Sequence, residues 1–554
     1  MQRHWWKEAV IYQIYTRSFK DSNGDGIGDI PGILEKLPYL ESLGIDVIWL
    51  NPIYRSPNDD NGYDISDYRR IMDEFGTMAD FDRLLEECHR RRIRLIMDLV
   101  VNHSSDEHVW FQESRSSRVN PYRDYYFWRP GRNDGPPNNW RSFFGGPAWD
   151  LDQTNGEYYL HLFSRKQPDL NWENPKVQDE VREIMHFWLD KGVDGFRMDV
   201  INLISKVEGL PDGEDPEGLT GHEYFADGPR ISEYFGFIKE SLEGYDAMTV
   251  GETVLADLAT VAEYVDAEKG FLNMAINFEH VSLDRGIDSF DSIGLDPLLL
   301  KQNLASWQKR LDGRGWNCLY MSNHDQPRQV SRFGNDGSLH RESATMLATV
   351  LHTLQGTPFI MQGEEIGMTN VAFKTIAEYR DISSLNYYRE RRDAGEDPEE
   401  ILKRIRECSR DNARTPVQWD SSLNAGFSTA KPWIGVNPNY RTINVDAQES
   451  DPESVLNYYR RLIRLRKANP VMVYGSFTEL EKDNPKVFAY ERRFDSSLLR
   501  VVLNLTADKA ECLLPALDER AQPLIGNYTA QPRPTEGILL RPYEAIVYLY
   551  SWES

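Results

Sequence analysis

The chain has 554 residues, of which 40% are hydrophobic, 12% aromatic and 27% charged, a composition typical of globular proteins rather than disordered ones. Its 63 Lys and Arg residues against 88 Asp and Glu residues give a formal net charge of −25. This charge would repel phosphate backbones and anionic lipids, so nucleic acid and membrane surfaces are excluded as expected partners. Four widely separated cysteines exclude a dense disulfide scaffold.

The sequence favours a cytoplasmic location, because the N-terminal segment has no uninterrupted apolar core of signal-peptide length. No later window approaches about 18 consecutive apolar residues, the length that a transmembrane helix needs. We expect a monomer or a weak homo-oligomer whose partners are small molecules.

Eight short apolar segments recur along the chain, each followed by a polar loop and then by a helical pattern. They are residues 10–16, 46–50, 93–101, 193–200, 248–251, 274–278, 318–321 and 358–361. Apolar strands that alternate with helices are parallel and buried on both faces, and eight of them can close into a cylinder. The sequence therefore predicts an α/β fold, a (β/α)8 TIM barrel.

Composition changes along the chain predict additional domains around this barrel. The barrel would comprise 1–103 and 171–368, with an inserted domain at 104–170 after the third strand, because that segment is too long for an ordinary loop. A second insertion is predicted at 369–439 after the eighth strand, and a barrel-closing helix within 440–469. Alternating strand-like segments predict a C-terminal antiparallel β-sandwich at 470–554.

Polar residues cluster where four of the predicted strands end, and TIM-barrel enzymes carry their catalytic groups at these ends. The residues are Asp98, Asn102, His103, Arg197, Asp199, Glu252, His324 and Asp325. Any one acid there could simply cap a helix, but so many charged groups at one barrel mouth favour catalysis.

Arg197 and Asp199 are two residues apart, so both side chains should share one strand face, where the guanidinium would keep the carboxylate ionised. Glu252 follows an apolar strand, so burial and nearby acids should raise its pKa and suit it to donate a proton. Two carboxyl groups of unlike pKa, roughly 5 to 5.5 Å apart, are what glycoside cleavage with retention requires.

Several segments resemble the α-amylase family of glycoside hydrolases. Its four signature regions are similar to DLVVNH (98–103), GFRMDV (195–200), VGET (250–253) and SNHDQPR (322–328). The oligo-1,6-glucosidase, or isomaltase, branch of that family is resembled by NGYDISDY (61–68), KQPDLNWENP (166–175) and RDNARTPVQW (410–419). The resemblance extends over nearly the whole chain.

This resemblance implies a retaining, exo-acting α-glucosidase with three catalytic residues. Asp199 would be the nucleophile, Glu252 the acid/base, and Asp325 the group that binds sugar hydroxyls. Asp60 and Arg414 would form an ion pair that closes the pocket around the terminal glucose. The full set of implied substrate-binding residues is Asp60, Tyr63, His103, Phe144, Phe163, Gln167, Arg197, Val200, His324 and Arg414.

The resemblance also implies α-1,6 specificity, because a Val follows the nucleophile in this branch, here Val200. Isomaltose, panose and isomalto-oligosaccharides would then be the substrates. The chain departs from many relatives after the acid/base, where it reads Thr253, Val254, Leu255 instead of Met and a Gly-containing turn. That loop should contact the second sugar.

A candidate cation loop lies at DSNGDGIGD (21–29), which places oxygen ligands at alternate positions, as calcium loops do. The resemblance implies a structural calcium ion, with magnesium as the alternative, and no organic cofactor. A tight turn without metal is the competing interpretation. The implied ligands are Asp21, Asn23, Asp25, Asp29 and the carbonyl of Ile27.

Three alternatives remain open at this point. Two belong to the same branch, an α-1,4-glucosidase and a sucrose-acting transglucosidase or isomerase. Isomerases carry an RLDR-type segment, which residues 310–314 (RLDGR) resemble only in part. The third is a non-catalytic sugar-binding protein of the same fold, although this chain retains its catalytic carboxylates.

Overall fold

The structure, a computed structural model, describes residues 3–214, 218–286, 288–517, 520–529 and 537–552. Its centre is an eight-stranded parallel sheet, with strand eight paired to strand one and strands six and seven in contact at its two edges. In chain order the strands are Ile11–Ile14, Val47–Leu50, Arg94–Leu99, Gly195–Met198, Met248–Glu252, Met274–Ile276, Cys318–Leu319 and Thr357–Met361. The predicted (β/α)8 barrel is confirmed.

Most of the strands are shorter than the apolar segments that predicted them. The segment 193–200 forms a strand only over Gly195–Met198, and Val200 already has the left-handed backbone angles φ 36° and ψ 41°. The chain stays buried beyond the last hydrogen-bonded pair, because insertions and helices cover the barrel mouth. An apolar segment in the sequence therefore shows where the chain is buried, whereas the strand extends only as far as its hydrogen bonds to the neighbouring strands.

Helices surround the barrel, and the one that follows the third strand and its insertion shows how its sequence sets its ends. Asn174 caps its first turn, Pro175 occupies the first position, and Gly192 ends it at φ 105°. The principal outer helices are Ile30–Leu43, Met78–Arg90, Pro175–Lys191, Ile231–Ser241, Leu258–Tyr264, Pro297–Leu311, His340–Thr353 and Val455–Ala468. Among the described residues, none of the helices combines the length and apolarity needed to cross a membrane.

The remaining helices lie at the barrel ends and in the connections. The α-helical ones are Trp5–Glu8, Val109–Ser116, His222–Phe225, Gln329–Phe333, Ile382–Asp393, Pro398–Cys408, Asp411–Arg414, Val445–Glu449 and Pro470–Tyr474. The 3-10 helices are Thr16–Ser18, Asp73–Phe75, Arg123–Tyr125, Ile201–Leu203, Glu364–Ile366, Ile376–Glu378, Leu423–Gly426 and Pro438–Arg441.

Two connections border the carboxyl ends of the barrel strands. Between strands three and four lies a small antiparallel sheet of Trp128–Arg129, Trp149–Asp152 and Glu157–Leu160. After strand eight, the helix Ile382–Asp393 approaches it, and the Asn386 side chain donates a hydrogen bond to the Phe144 carbonyl at 3.0 Å. A two-stranded pair, Tyr54–Arg55 with Asp67–Ile71, lies in the loop after strand two.

The C-terminal part is built from antiparallel strands, as predicted. Five form one sheet: Ser476–Leu480, Val487–Phe494, Ser497–Asn504, Gln522–Gly526 and Ala545–Ser551. Ala510–Cys512 and Ile538–Leu540 form a second, and side chains from both sheets share one apolar cluster. The other face of the larger sheet belongs to the same core as the barrel.

Two fully buried arginines join this sheet to the barrel. Arg466 from the helix Val455–Ala468 donates to the carbonyls of His352 and Met472 at 3.1 and 3.0 Å. Arg492 from the sheet donates to the Thr353 carbonyl at 2.6 Å. Both guanidiniums thus satisfy the ends of a barrel helix and of the connection to the C-terminal part.

Candidate active site

One fully buried guanidinium, that of Arg197, gathers three carboxylates at the carboxyl end of the barrel. Its Nη1 lies 2.5 Å from Asp98 Oδ1 and 2.7 Å from Asp199 Oδ1. Its Nη2 lies 2.6 Å from Glu252 Oε1. Trp49 donates to the other oxygen of Asp98 at 2.9 Å and turns its ring toward the guanidinium. The side chains from strands three, four and five therefore meet, as the sequence predicted.

Asp199 and Glu252, two of the three carboxyl groups around Arg197, differ in pKa. Burial raises the pKa of Asp199 to about 7 and that of Glu252 to about 8, although the positive charge of Arg197 acts against both shifts. Glu252 has the higher pKa of the two and is the better candidate to carry a proton. This order fits Glu252 as a proton donor and Asp199 as an ionised nucleophile.

The backbone after Asp199 is strained at Val200, and this conformation lets Val200 bind Glu252. Val200 is β-branched and yet has a positive φ of 36°, a conformation that such residues rarely adopt. Its N–H then donates to Glu252 Oε2 at 3.1 Å. The turn that ends strand four thus helps to orient the carboxyl group at the end of strand five.

Asp325 and His324 follow strand seven at the same mouth. Arg414 Nη2 and Arg410 Nη1 lie 2.7 and 3.2 Å from Asp325 Oδ1. Against the effect of burial, these two cations and the imidazole N–H of His324 hold the pKa of this carboxyl well below its usual range. Burial in turn lowers the pKa of His324, so the ring is neutral. Its Nδ1 accepts from Gln13 at 2.9 Å, which leaves Nε2–H facing Asp325 Oδ2 at 3.2 Å.

Asp60 pairs with Arg410 and not with Arg414, so the expected Asp60–Arg414 ion pair is wrong. Asp60 Oδ1 lies 3.1 Å from Arg410 Nη2, and Arg410 also binds Asp381 at 2.7 Å. Arg414, at the end of the short helix that begins after Arg410, turns toward strand seven, where its Nε donates to a main-chain carbonyl. Arg410 therefore bridges Asp60 and Asp325, although it is not among the site residues predicted from the sequence.

Several of the predicted sugar-binding residues that follow strands two and three lie together on one side of the site. Gln167 donates to Asp60 Oδ2 at 3.2 Å. His103 Nε2 lies 3.2 Å from the Tyr63 carbonyl, and burial lowers the pKa of His103 to about 4. The Tyr63 ring stacks on His324, with 5.1 Å between ring centroids. These side chains form a continuous wall from strand two to strand seven.

Two half-buried phenylalanines of the first insertion complete this wall. The Phe163 ring lies 5.1 Å from that of His103 and 5.6 Å from that of Phe144. The Arg410 guanidinium lies 4.8 Å from the centre of the Phe144 ring, a cation–π distance. Phe144 and Arg410 thus meet across the rim and join the two insertions.

The candidate cation loop is folded back on itself. Asp21 Oδ1 accepts from the Asn23 N–H at 3.0 Å, Asp25 Oδ1 accepts from the Ile27 N–H at 2.8 Å, and Asp29 caps the first barrel helix. In the part of the chain that is described, no group of three or more His, Cys, Asp or Glu side chains could hold a metal ion. The predicted donor set also includes an amide and a carbonyl, so calcium binding stays a prediction.

Comparison with known proteins agrees with this geometry. The alpha-amylase catalytic-domain model matches residues 13–475. The chain is 57% identical to an oligo-1,6-glucosidase of Parageobacillus thermoglucosidasius over 557 residues, which covers 99% of each protein.

Two solved structures are similar over 99% of this chain and the whole of the other. They are a trehalose-6-phosphate hydrolase of Bacillus licheniformis, at 47% identity and TM-score 0.95, and a trehalulose synthase, at 45% identity and TM-score 0.96. The match spans the barrel and every element of the site described above. The chain therefore belongs to the α-amylase family and is a glycoside hydrolase.

Proposed function

We propose that this protein is a retaining, exo-acting α-glucosidase that removes α-1,6-linked glucose from isomaltose, panose and isomalto-oligosaccharides. The observation that carries the proposal is the single guanidinium of Arg197 between Asp199 and Glu252. Two carboxyl groups held by one guanidinium suit the roughly 5 to 5.5 Å of retaining enzymes better than the roughly 6.5 to 9.5 Å of inverting ones.

The reaction would proceed in two steps. First, Glu252 gives its proton to the glycosidic oxygen, while an Asp199 oxygen bonds to the anomeric carbon and the bond to the leaving sugar breaks. Then Glu252, now a carboxylate, takes a proton from water, whose oxygen displaces Asp199 and releases glucose with its original configuration. The positive charge of Arg197 favours the anionic form of Asp199 before the ester forms and after the ester is hydrolysed.

The exo mode is supported by the closed rim beside Asp325. Arg410 connects Asp60 and Asp325, and these two carboxylates with Gln167 can accept and donate hydrogen bonds to the far hydroxyls of one glucose. A chain that continued beyond that glucose would have to displace Arg410. The enzyme therefore accepts a non-reducing end.

Product analysis tests the proposal directly. A panel of isomaltose, maltose, sucrose and trehalose 6-phosphate is followed over time with detection of the anomer released. Fastest cleavage of isomaltose with release of α-glucose supports it. Release of β-glucose would overturn the retaining mechanism. Isomaltulose or trehalulose from sucrose would instead favour the isomerase alternative, the activity in the name of the similar trehalulose synthase.

Replacing Val200 with Thr should lower the ratio of isomaltose to maltose cleavage by about tenfold. One changed group in a sugar site is worth about 1–3 kcal/mol of discrimination. Val200 follows Asp199 and its main-chain N–H binds Glu252, so it lies next to both carboxyl groups that act on the scissile linkage. The measurement is kcat/KM on both sugars. Val193→Thr, the same change before strand four, serves as the control, and an unchanged ratio in Val200→Thr would contradict the assignment.

The pH dependence of kcat/KM should be bell-shaped. Catalysis needs Asp199 ionised and Glu252 protonated, so the rate should fall below a pH of about 7 as Asp199 takes up a proton. It should fall again above about 8 as Glu252 loses its proton. Initial rates on isomaltose at constant ionic strength give the profile. A rate that rises steadily to pH 10 would contradict the role of Glu252 as acid.

We also propose that the loop 21–29 binds calcium through Asp21, Asn23, Asp25, Asp29 and the Ile27 carbonyl. Calcium should then raise the melting temperature of chelator-treated protein, because an ion that binds only the native state adds about 2.7 kcal/mol at 100 times its Kd. Asp25→Ala should lose this increase, whereas Asp483→Ala, a change at an exposed residue of the C-terminal part, should retain it. Equal responses in both variants would argue against this loop. Magnesium is tested in parallel.

A further inference from the structure

A buried lysine lies behind the sugar-binding wall and takes no part in the reaction described above. The side chain of Lys206 is 1% exposed, and its ammonium has three partners: Asp169 Oδ2 at 2.8 Å, Asn102 Oδ1 at 3.1 Å and the Leu203 carbonyl at 2.8 Å. An ammonium has three donors and no acceptor, so this set satisfies it fully. Burial of so complete a charged cluster needs a reason beyond stability, since ion pairs contribute little when they are desolvated.

The cluster determines which way the Asn102 side chain faces. Lys206 can only donate and the Asp169 carboxylate can only accept. The amide oxygen of Asn102 must therefore face Lys206, and its nitrogen lies 3.2 Å from Asp169 Oδ2. The second N–H of the same nitrogen lies beside His103 Nδ1, at 3.3 Å between nitrogens.

His103 is then restricted to one tautomer from both sides of its ring. Nδ1 faces an amide donor and must carry a lone pair, while Nε2 faces the Tyr63 carbonyl at 3.2 Å and must carry the proton. The Gln167 amide nitrogen is a donor that lies 3.1 Å from Nε2, and one of its two N–H groups bonds Asp60. Its approach to Nε2 does not change the assignment, because Nδ1 has an amide donor beside it and Nε2 also has a carbonyl acceptor. The Nε2–H therefore lies on the side of the site where sugar hydroxyls would lie, and a hydroxyl that bound it would share this proton with the Tyr63 carbonyl.

We infer that Lys206 is a positioning residue that, through Asn102, holds His103 in the Nε2–H tautomer and so gives the sugar pocket a fixed hydrogen-bond donor. That His103 binds a glucose hydroxyl rests on the proposed function, whereas the tautomer follows from the contacts alone. Burial and the charge of Lys206 both lower the pKa of His103, although the charge of Asp169 raises it. The ring is therefore neutral.

The tautomer is tested by ¹⁵N NMR of histidine-labelled full-length protein, with His103 assigned by its loss in His103→Ala. Wild type should show a protonated Nε2 and an unprotonated Nδ1 at pH 7. Asn102→Asp keeps an acceptor for Lys206 but replaces the amide donor with a carboxylate, so Nδ1 should gain a proton. A protonated Nδ1 in wild type, or no change in Asn102→Asp, would overturn the inference, whatever the enzyme cleaves.

Kinetics test whether Lys206 acts through His103. Lys206→Met should reduce kcat/KM on isomaltose by about tenfold or more, yet change it less than twofold in a His103→Ala background, because residues in one network are not additive. Lys206→Arg keeps the buried charge and a donor for Asn102 if the methionine variant fails to fold, and it should keep the wild-type tautomer. Equal losses in both backgrounds would leave Lys206 a structural residue only and overturn its positioning role. If wild type cleaves no isomaltose but shows the expected tautomer, the proposed function fails and the tautomer assignment stands.

Discussion

Replacing Asp199 with Asn should reduce kcat/KM on every α-glucoside by roughly 10⁴-fold or more, the scale of losing a nucleophile in other hydrolases. The amide cannot form a glycosyl ester, while its similar shape leaves the bonds of Arg197 to Asp98 and Glu252 in place. The fold should survive, because a raised pKa means that a neutral side chain is tolerated at this buried position. Initial rates and thermal unfolding measure the two effects.

The matched control is Glu252→Gln, which removes the proton donor and leaves the nucleophile. It should reduce cleavage of isomaltose far more than formation of the glycosyl ester from p-nitrophenyl α-glucoside, because p-nitrophenolate departs without a proton. Asp199→Asn should reduce both equally. If Glu252→Gln affected the two substrates alike while Asp199→Asn distinguished them, the two roles would have to be exchanged.

Arg197→Met should lower the free energy of unfolding by about 3–5 kcal/mol, the cost of leaving buried charges without their partner. Asp98, Asp199 and Glu252 all lose the same cation, and Asp98 is fully buried. Urea unfolding at pH 7 gives the value. Arg90→Met, which removes an exposed ion pair with Glu87, should cost at most about 1 kcal/mol.

The pH dependence of the stability lost in Arg197→Met shows whether Arg197 stabilises the fold through its charge or through packing. Arg197 lowers the pKa of all three carboxyls, so its removal raises them further. The loss of stability should therefore be largest at high pH, where the carboxyls are ionised, and should shrink as they take up protons below neutral pH. A loss of the same size at pH 5 and pH 8 would show that Arg197 acts mainly by filling space.

The barrel and the position of its candidate catalytic residues could be predicted because they follow from local sequence patterns. Segments buried on both faces are continuously apolar, so each barrel strand stands out from its loops. Residues at the end of a strand or in the loop just after it lie at the barrel mouth, which places Asp199, Glu252 and Asp325 there without knowledge of any long-range contact. The predicted ends of the strands are less accurate, because Val200 is still buried although the hydrogen-bonded strand ends at Met198.

Contacts between distant loops could not be predicted in the same way. Arg410 and Arg414 flank one short helix, and only the course of the chain after strand eight decides which of them reaches Asp60. Lys206 offered no signal, because a lysine in a loop is normally exposed and its partners come from other strand ends and the returning insertion. Asp98 was recognised as a strand-end acid, but its bond to Trp49 depends on the neighbouring strand.

The paired guanidiniums of Arg466 and Arg492 limit how this protein can be cut or recombined. A truncation before residue 476 would remove Arg492 from the Thr353 carbonyl and expose barrel side chains that now share a core with the terminal sheet. If that sheet were replaced with the sheet of a relative, the new arginine would have to reach the same barrel carbonyl that Arg492 binds. In engineering terms, the C-terminal part shares its core with the barrel and is inherited with it, rather than acting as an interchangeable module.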